Sequence, residues 1–189
     1  MKKDKVIDIV TDLDFNIDKK ELSNPIIRYA SRGIIFDKSG NLAVINKEAK
    51  NEYKLPGGGI EDGERPEEAF LREVLEETGC QVEISDYLGT IIEEKSLTNF
   101  KQISYVFVGK VLKNTKVLNL TEKEIKENTI LIWKDIKTAY ELIKNCQENI
   151  IGSMFDTKYQ SLFMAKRDEK ILSYYLKNKK SVTVQSRNR

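Results

Sequence analysis

Glu73, Glu76 and Glu77 place three carboxylates at i, i+3 and i+4, within reach of one another on one helix surface. Hard divalent cations such as Mg²⁺ favour oxygen clusters of this kind, usually completed by substrate phosphates and water. Gly57, Gly58 and Gly59 precede the helix directly, and glycines let backbone approach a ligand closely. A glutamate-rich helix is most often just a solvated face. Two features argue for chemistry instead. The i+4 partner of Glu73 is Glu77 rather than a lysine, and like charges at that spacing cost about 0.2–0.5 kcal/mol. In addition, a lysine-rich chain uses no lysine between Leu55 and Glu94. That stretch holds twelve acidic residues against Arg65 and Arg72, while the remainder holds thirty basic and eighteen acidic ones. An acidic island in a basic chain reads as a cation site whose surroundings attract an anionic substrate.

The chain around this site has 189 residues, 40% hydrophobic and 33% charged, with a net charge of +2. That fits one soluble domain with terminal extensions, large enough for a proper core. Apolar runs are too short for a transmembrane helix or a signal-peptide core, so no membrane partner is expected. Cys80 and Cys146 lie far apart in no metal-like spacing, which favours reduced thiols and a cytoplasmic location. With no histidine in the sequence, Ser-His and Cys-His catalysis and most zinc sites are excluded. The basic residues are scattered without an aromatic-interleaved stripe, a weak signal for nucleic-acid binding.

The elements that must position the glutamates follow from periodicity and punctuation. Residues 1–25 read as an N-terminal extension containing one strand or a short helix, residues 26–178 as the domain, and 179–189 as a basic, flexible tail. Strands are expected over 26–37 and 41–48, joined by a hairpin with Gly40 in the left-handed region. The segment 50–59 reads as a loop into the acidic helix, which starts at Pro66 and ends at Gly79. Leu71, Val74, Leu75 and Thr78 form the face expected to dock on a sheet, with Glu73, Glu76 and Glu77 nearly opposite. Further strands are expected around 82–94, 100–112 and 129–134, and helices over 135–146, capped by Asp135, and 157–178.

With Gly58, five residues, Glu64, seven residues, then Arg72-Glu73-Val74-Leu75-Glu76-Glu77-Thr78-Gly79, the segment resembles the signature box of the MutT-like Nudix hydrolases, with no subgroup assigned. Cys80 departs from it, standing where the family usually has a bulky aliphatic residue. The likeness extends over roughly residues 26–148. It implies an α/β/α sandwich with a mixed β-sheet between helices, and hydrolysis of a nucleoside diphosphate linked to another moiety. The resemblance further implies Mg²⁺ or Mn²⁺ held by Glu73, Glu76 and Glu77, with Glu64 as an outer ligand and the Gly57 carbonyl as an extra one. Arg72 matches an arginine that orients a neighbouring glutamate.

A metal ion would neutralise phosphate oxygens and acidify the attacking water, and a carboxylate would accept a proton. Candidates for that base are a box glutamate, Glu73 or Glu77, or a later carboxylate: Glu93, Glu94, Glu122 or Glu124, with Glu124 preferred. Arg32, Lys47 and Lys54 flank the glycine loop and are candidates for phosphate contacts, as are the backbones of Gly58 and Gly59. Tyr29, Tyr53, Tyr105 and Trp133 are candidates to stack on a base. Residues 94–98 carry neither the proline nor the tyrosine that mark two family subgroups. The expected substrate is therefore a nucleotide: an NTP, an oxidised dNTP or a nucleotide sugar. A non-catalytic nucleotide sensor and an RNA 5′-end pyrophosphohydrolase remain as alternatives, and a homodimer is left open.

Overall fold

Neighbouring residues on the central strands face two different cores. Ile34, Leu42 and Val44 point into one, Ile35 and Ala43 into the other. Such strands are buried on both faces, as a sheet covered by helices on each side requires. The computed structural model describes residues 5–185, with side chains described through 178. It holds strands β1 Val6–Thr11, β2 Ile26–Phe36, β3 Leu42–Lys47, β4 Glu52–Lys54, β5 Gly57–Gly59, β6 Cys80–Lys95, β7 Phe100–Asn114 and β8 Thr129–Lys134. Its helices are α1 Pro66–Thr78, α2 Glu122–Lys126, α3 Ile136–Asn145 and α4 Lys158–Gln185.

One mixed sheet runs β1-β6-β7-β2-β3-β4, with β5 paired to β2 and β8 to β3. The β1–β6 and β2–β7 pairs are parallel and the rest antiparallel. Phe70 and Val74 of α1 pack on one face with Ile35, Phe107 and Val82. Ala139 and Ile143 of α3 and Phe163, Ile171 and Leu172 of α4 cover the other. The result is the expected α/β/α sandwich.

β2 and β3 pair only at Phe36–Leu42. Beyond that point β3 takes β4 as its partner and β2 takes β5, so the two halves of the sheet part. Lys54 and Gly57 line the gap from either side.

Four expectations need correction. The segment 50–59 is not a plain loop: it forms both β4 and β5. The N-terminal segment, read as an extension with one strand or a short helix, does hold a strand, but β1 is built into the sheet beside β6 and its Val10 is fully buried. α4 continues through Gln185, so the expected tail is helical that far, and 186–189 lie outside the described residues. The docked face of α1 is turned from the expected one: Ala69, Phe70, Val74, Glu77 and Thr78 are buried, while Leu71 and Leu75 are 39% and 38% exposed. Phe70 is the largest apolar group on the helix, and Glu77 can go inward because its carboxylate is satisfied there. Cys80 packs fully buried beside Val74 and Val82, filling the place of an aliphatic residue.

Candidate active site

Each glutamate of α1 has a different environment. Glu77 is 3% exposed; its Oε1 accepts from Lys54 Nζ at 2.7 Å and its Oε2 from the Gly57 N–H at 2.7 Å. Burial raises the Glu77 pKa against the pull of Lys54 and the Gly57 N–H. Glu73 and Glu76 accept from Arg72 Nη1 at 2.9 and 3.4 Å. Burial also raises the Glu76 pKa, Arg72 opposing it. Glu64 takes Arg72 Nε and Nη2 at 2.8 and 2.9 Å, and these bonds lower its pKa. Arg72 Nη2 also donates to the Gly59 carbonyl at 3.0 Å. One guanidinium thus organises three carboxylates and the glycine strand, and its own pKa is raised first by Glu64. Arg72 does not line the cleft, and its bonds to Glu64 and Glu73 are those of a residue that orients neighbouring glutamates.

Backbone geometry explains the glycines. Gly57 has φ +137°, a conformation that L side chains rarely adopt, and a Cβ there would meet the Ser31 carbonyl oxygen at 2.3 Å. At Gly58 a Cβ would fall 2.4 Å from both Glu73 carboxylate oxygens. The strand β5 is therefore bare so that Glu73 can lie directly against it.

The resulting cleft has a volume of about 210 Å³. One wall is acidic, made by Glu73, Glu77 and Glu124 beside Gly57, Gly58 and Gly59. Glu124 arrives on α2, where its Oε2 accepts from the Thr121 N–H and hydroxyl, both at 2.8 Å. Burial would raise its pKa, yet the Thr121 bonds and Lys54 bring it below the usual carboxylate value.

The remaining charged groups on its walls are basic: Arg28, Arg32, Lys47, Lys123 and Arg167, with Lys54 reaching in among the carboxylates. Arg167 is bonded to Glu93 at 3.1 Å and to Asp168 at 2.7 and 3.1 Å. Arg32 is 4% exposed and makes no side-chain hydrogen bond to a described residue. Burial and nearby Arg167 lower its pKa to about 10. Arg28, Gln102 and Met164 continue from this cleft into a second hollow of about 150 Å³, with Phe100 and Gln160 on its walls. A larger and shallower groove of about 670 Å³ between β4 and α3 lacks this convergence of charge.

The other base candidates are held elsewhere. Glu93 is fully buried among Lys95, Arg167 and Gln102. Burial would raise its pKa, but Lys95, Arg167 and Arg32 bring it down to about 2. Glu94 pairs with Lys19 and Lys101, and Glu122 with Lys126. Tyr53, Tyr105 and Trp133 pack against the cores rather than lining the cleft, and Tyr29 is half exposed.

The donor set around Gly57 and α1 consists of hard oxygens, which suits Mg²⁺ or Mn²⁺. Lys54 Nζ lies between two of them, 2.7 Å from Glu77 Oε1 and 3.2 Å from the Gly57 carbonyl. The fold places a positive charge at that point. Among the described residues no three acidic, His or Cys side chains already close on one centre. Glu64, Glu73 and Glu76 turn to Arg72 and Glu77 to Lys54, because the nearest cation balances each. Glu64 and Glu76 stand outside the cleft lining.

The profile of the NUDIX domain matches residues 27–150. The chain belongs to the Nudix family. Over 82 residues this Nudix chain is 34% identical to the 8-oxo-dGTP diphosphatase of Proteus vulgaris, across 41% of its own length and 68% of that protein's. Over 81 residues it is 35% identical to the ADP-ribose pyrophosphatase of Methanocaldococcus jannaschii, across 41% of its length and 48% of the relative's. For several such relatives the matched stretch is about half their length. A NUDIX hydrolase structure from Nitrosomonas europaea shares the fold, with a TM-score of 0.52 at 16% identity over 77% of this chain and 92% of that one.

The Nudix match ends at residue 150, yet Met164 and Arg167 of α4 complete the cleft. Sequence reasoning missed both, along with Arg28, Gln102, Thr121 and Lys123. Only Arg28 left a signal: it lies four residues before Arg32 on a strand, and so on the same face. None of the described helices is long and apolar enough to cross a membrane.

Proposed function

We propose that this Nudix domain is a divalent-metal-dependent pyrophosphohydrolase that cleaves the diphosphate linkage of a nucleoside diphosphate joined to another group. The observation that carries this reading is the convergence of Glu73, Glu77 and Glu124 with several arginines and lysines on one cleft. The carboxylates suit metal and water, and the cations suit the non-bridging oxygens of a phosphate chain.

Glu73 and Glu77, with Glu76, Glu64 and the Gly57 carbonyl, would hold Mg²⁺ or Mn²⁺. Such an ion neutralises phosphate oxygens, stabilises the leaving group and acidifies water. Arg72 fixes Glu73 and Glu64 in place. Glu124, kept ionised by Thr121, accepts the proton of the attacking water at its carboxylate. Arg28, Arg32 and Lys123 orient the phosphates, and much of the rate enhancement is positioning and electrostatics. The hollow bounded by Phe100 and Met164 receives the group beyond the phosphates.

A hydrolysis screen over nucleoside triphosphates, oxidised dNTPs, nucleotide sugars and ADP-ribose, with and without Mg²⁺ or Mn²⁺, tests the reading. Turnover that requires the metal and is lost in Glu73→Gln is expected. No turnover of any compound would turn the reading toward a nucleotide sensor.

A further inference from the structure

Arg32 is an anomaly within the cleft. It sits in β2 opposite Gly57 of β5 and Val106 of β7, 4% exposed, and its Nε is buried without a hydrogen-bond partner. A buried guanidinium with unmade hydrogen bonds is costly unless something else satisfies it. The acids around it are already engaged. Glu93 is taken by Lys95 at 2.9 Å, Arg167 at 3.1 Å and Gln102 at 2.7 Å. Asp168 is taken by Arg167 and by the Leu55 N–H at 2.8 Å. Glu77 is taken by Lys54 and the Gly57 N–H.

The same accounting extends to every cation on the basic wall. Lys47 pairs with Glu127, Lys54 with Glu77, Lys123 with Asp156, and Arg167 with Glu93 and Asp168. Arg28 makes no hydrogen bond or ion pair with any described residue, and its Nη2 lies over Gly59, 2.7 Å from where a Cβ would stand. It shares a strand face with Arg32 and lines the same cleft. Two guanidiniums are therefore left without a hydrogen-bond or ion-pair partner among the described residues, one on the floor of the cleft and one at its mouth, although Asp168, Glu93 and Glu77 act on Arg32 through space.

We propose that Arg28 and Arg32 form a subsite for a terminal phosphate, so that the preferred substrate carries a triphosphate end rather than a diphosphate capped by a sugar. This rests on the hydrolase reading above. A phosphate monoester carries about −1.5 to −2 at pH 7, which matches two guanidiniums. The diphosphate of a nucleotide sugar has no terminal phosphate to offer them. Guanidinium forks also match the geometry of phosphate oxygens. Arg167 takes the hydrogen bonds of Glu93 and Asp168, and neither acid bonds Arg32. Free nucleoside triphosphates and the 5′-triphosphate of RNA present the same chemistry.

Two measurements test the subsite. The first is the binding of inorganic tripolyphosphate by calorimetry, without divalent metal, to the wild type, Arg28→Ala, Arg32→Lys and Arg32→Gln. The expected result is at least tenfold weaker binding in Arg28→Ala and Arg32→Gln, with partial recovery in Arg32→Lys. The second is kcat/KM with metal on a nucleoside triphosphate, a 5′-triphosphorylated RNA and a nucleotide sugar. The loss in Arg28→Ala should be at least tenfold greater on the triphosphates, and the better of those two substrates identifies the source. Equal losses on all three, or unchanged tripolyphosphate binding, would overturn the subsite. Arg28 is exposed, so its variant decides even where Arg32→Gln fails to fold. If the wild type turns over nothing while tripolyphosphate binding depends on Arg28, the hydrolase reading fails and the subsite stands.

Discussion

Replacing Gly58 with alanine adds one methyl group at the point where chain and chemistry meet. Gly58 is not in the left-handed region, so the backbone accepts alanine without strain. The new Cβ falls 2.4 Å from both Glu73 carboxylate oxygens and 2.5 Å from the carbon that bears them. Ordinary contact begins near 3.4 Å, so the carboxylate must retreat by about 1 Å. Its hydrogen-bond partner among the described residues is Arg72, and it is the far end of a flexible, 16% exposed side chain. The retreat is therefore cheap for the fold. It is expensive for catalysis, because a misplacement of about 1 Å in a positioned group costs on the order of 100-fold in rate. That corresponds to about 2.7 kcal/mol of transition-state stabilisation. Gly33→Ala supplies the contrast. There a Cβ meets the Phe107 backbone oxygen at 2.1 Å, which cannot swing away, so destabilisation of roughly 1–3 kcal/mol is expected. Steady-state kinetics beside a thermal melt separates the two variants. Gly58→Ala should melt with the wild type and lose about two orders of magnitude in kcat. Wild-type turnover in Gly58→Ala would refute the placement of Glu73 in the reacting centre.

Glu73→Gln should abolish turnover at unchanged stability. Glu77→Gln should also lose about 3–5 kcal/mol in denaturant unfolding, because Lys54 is left buried without its counter-charge. Glu93 has its pKa lowered to about 2 in the folded protein. Its stabilisation is therefore full above the ordinary carboxylate pKa, about 4.3, and is lost as pH falls toward 2, on the order of 3 kcal/mol. Acid titration of stability should show this loss in the wild type and not in Glu93→Gln. Lys50 is fully buried, 2.8 Å from Glu52 and 3.1 Å from Asp156. Lys50→Met strands buried Glu52, while Asp156 keeps Lys123, and should lower Tm by about 2–4 °C for each kcal/mol lost; an unchanged melt would show that the Lys50–Glu52 pair does not stabilise the fold.

What was readable in the sequence was what the chain stores locally. Gly58, Glu64, Arg72, Glu73 and Glu77 lie within one turn-and-helix segment, so their spacing alone marks them as a group. The strands were readable because β-branched residues alternate and glycines punctuate them, as at Gly40 with φ +83° and Gly79 with φ +65°. The face of α1 was misjudged because hydrophobicity does not reveal that Lys54 and the Gly57 N–H await Glu77 in the interior. Among four base candidates of similar sequence context, only tertiary contact separates Glu124 at the cleft from Glu93, which is locked in an ionic network. The basic wall was the least legible. Arg28 and Arg167 are 139 positions apart, and nothing local tells either of the other.

The two walls of the cleft also differ in how they can be inherited. The acidic wall is largely one continuous stretch from Gly57 to Glu77, joined only by Glu124, and it travels as a unit. The basic wall is dispersed, and part of it rides on α4, beyond the segment that defines the Nudix family. On the proposed hydrolase reading, substitution along α4 is expected to alter which phosphate chain is gripped while leaving Glu73, Glu77 and Glu124 in place. A graft of residues 151–178 between relatives is thus a route to exchanging selectivity without rebuilding the reaction.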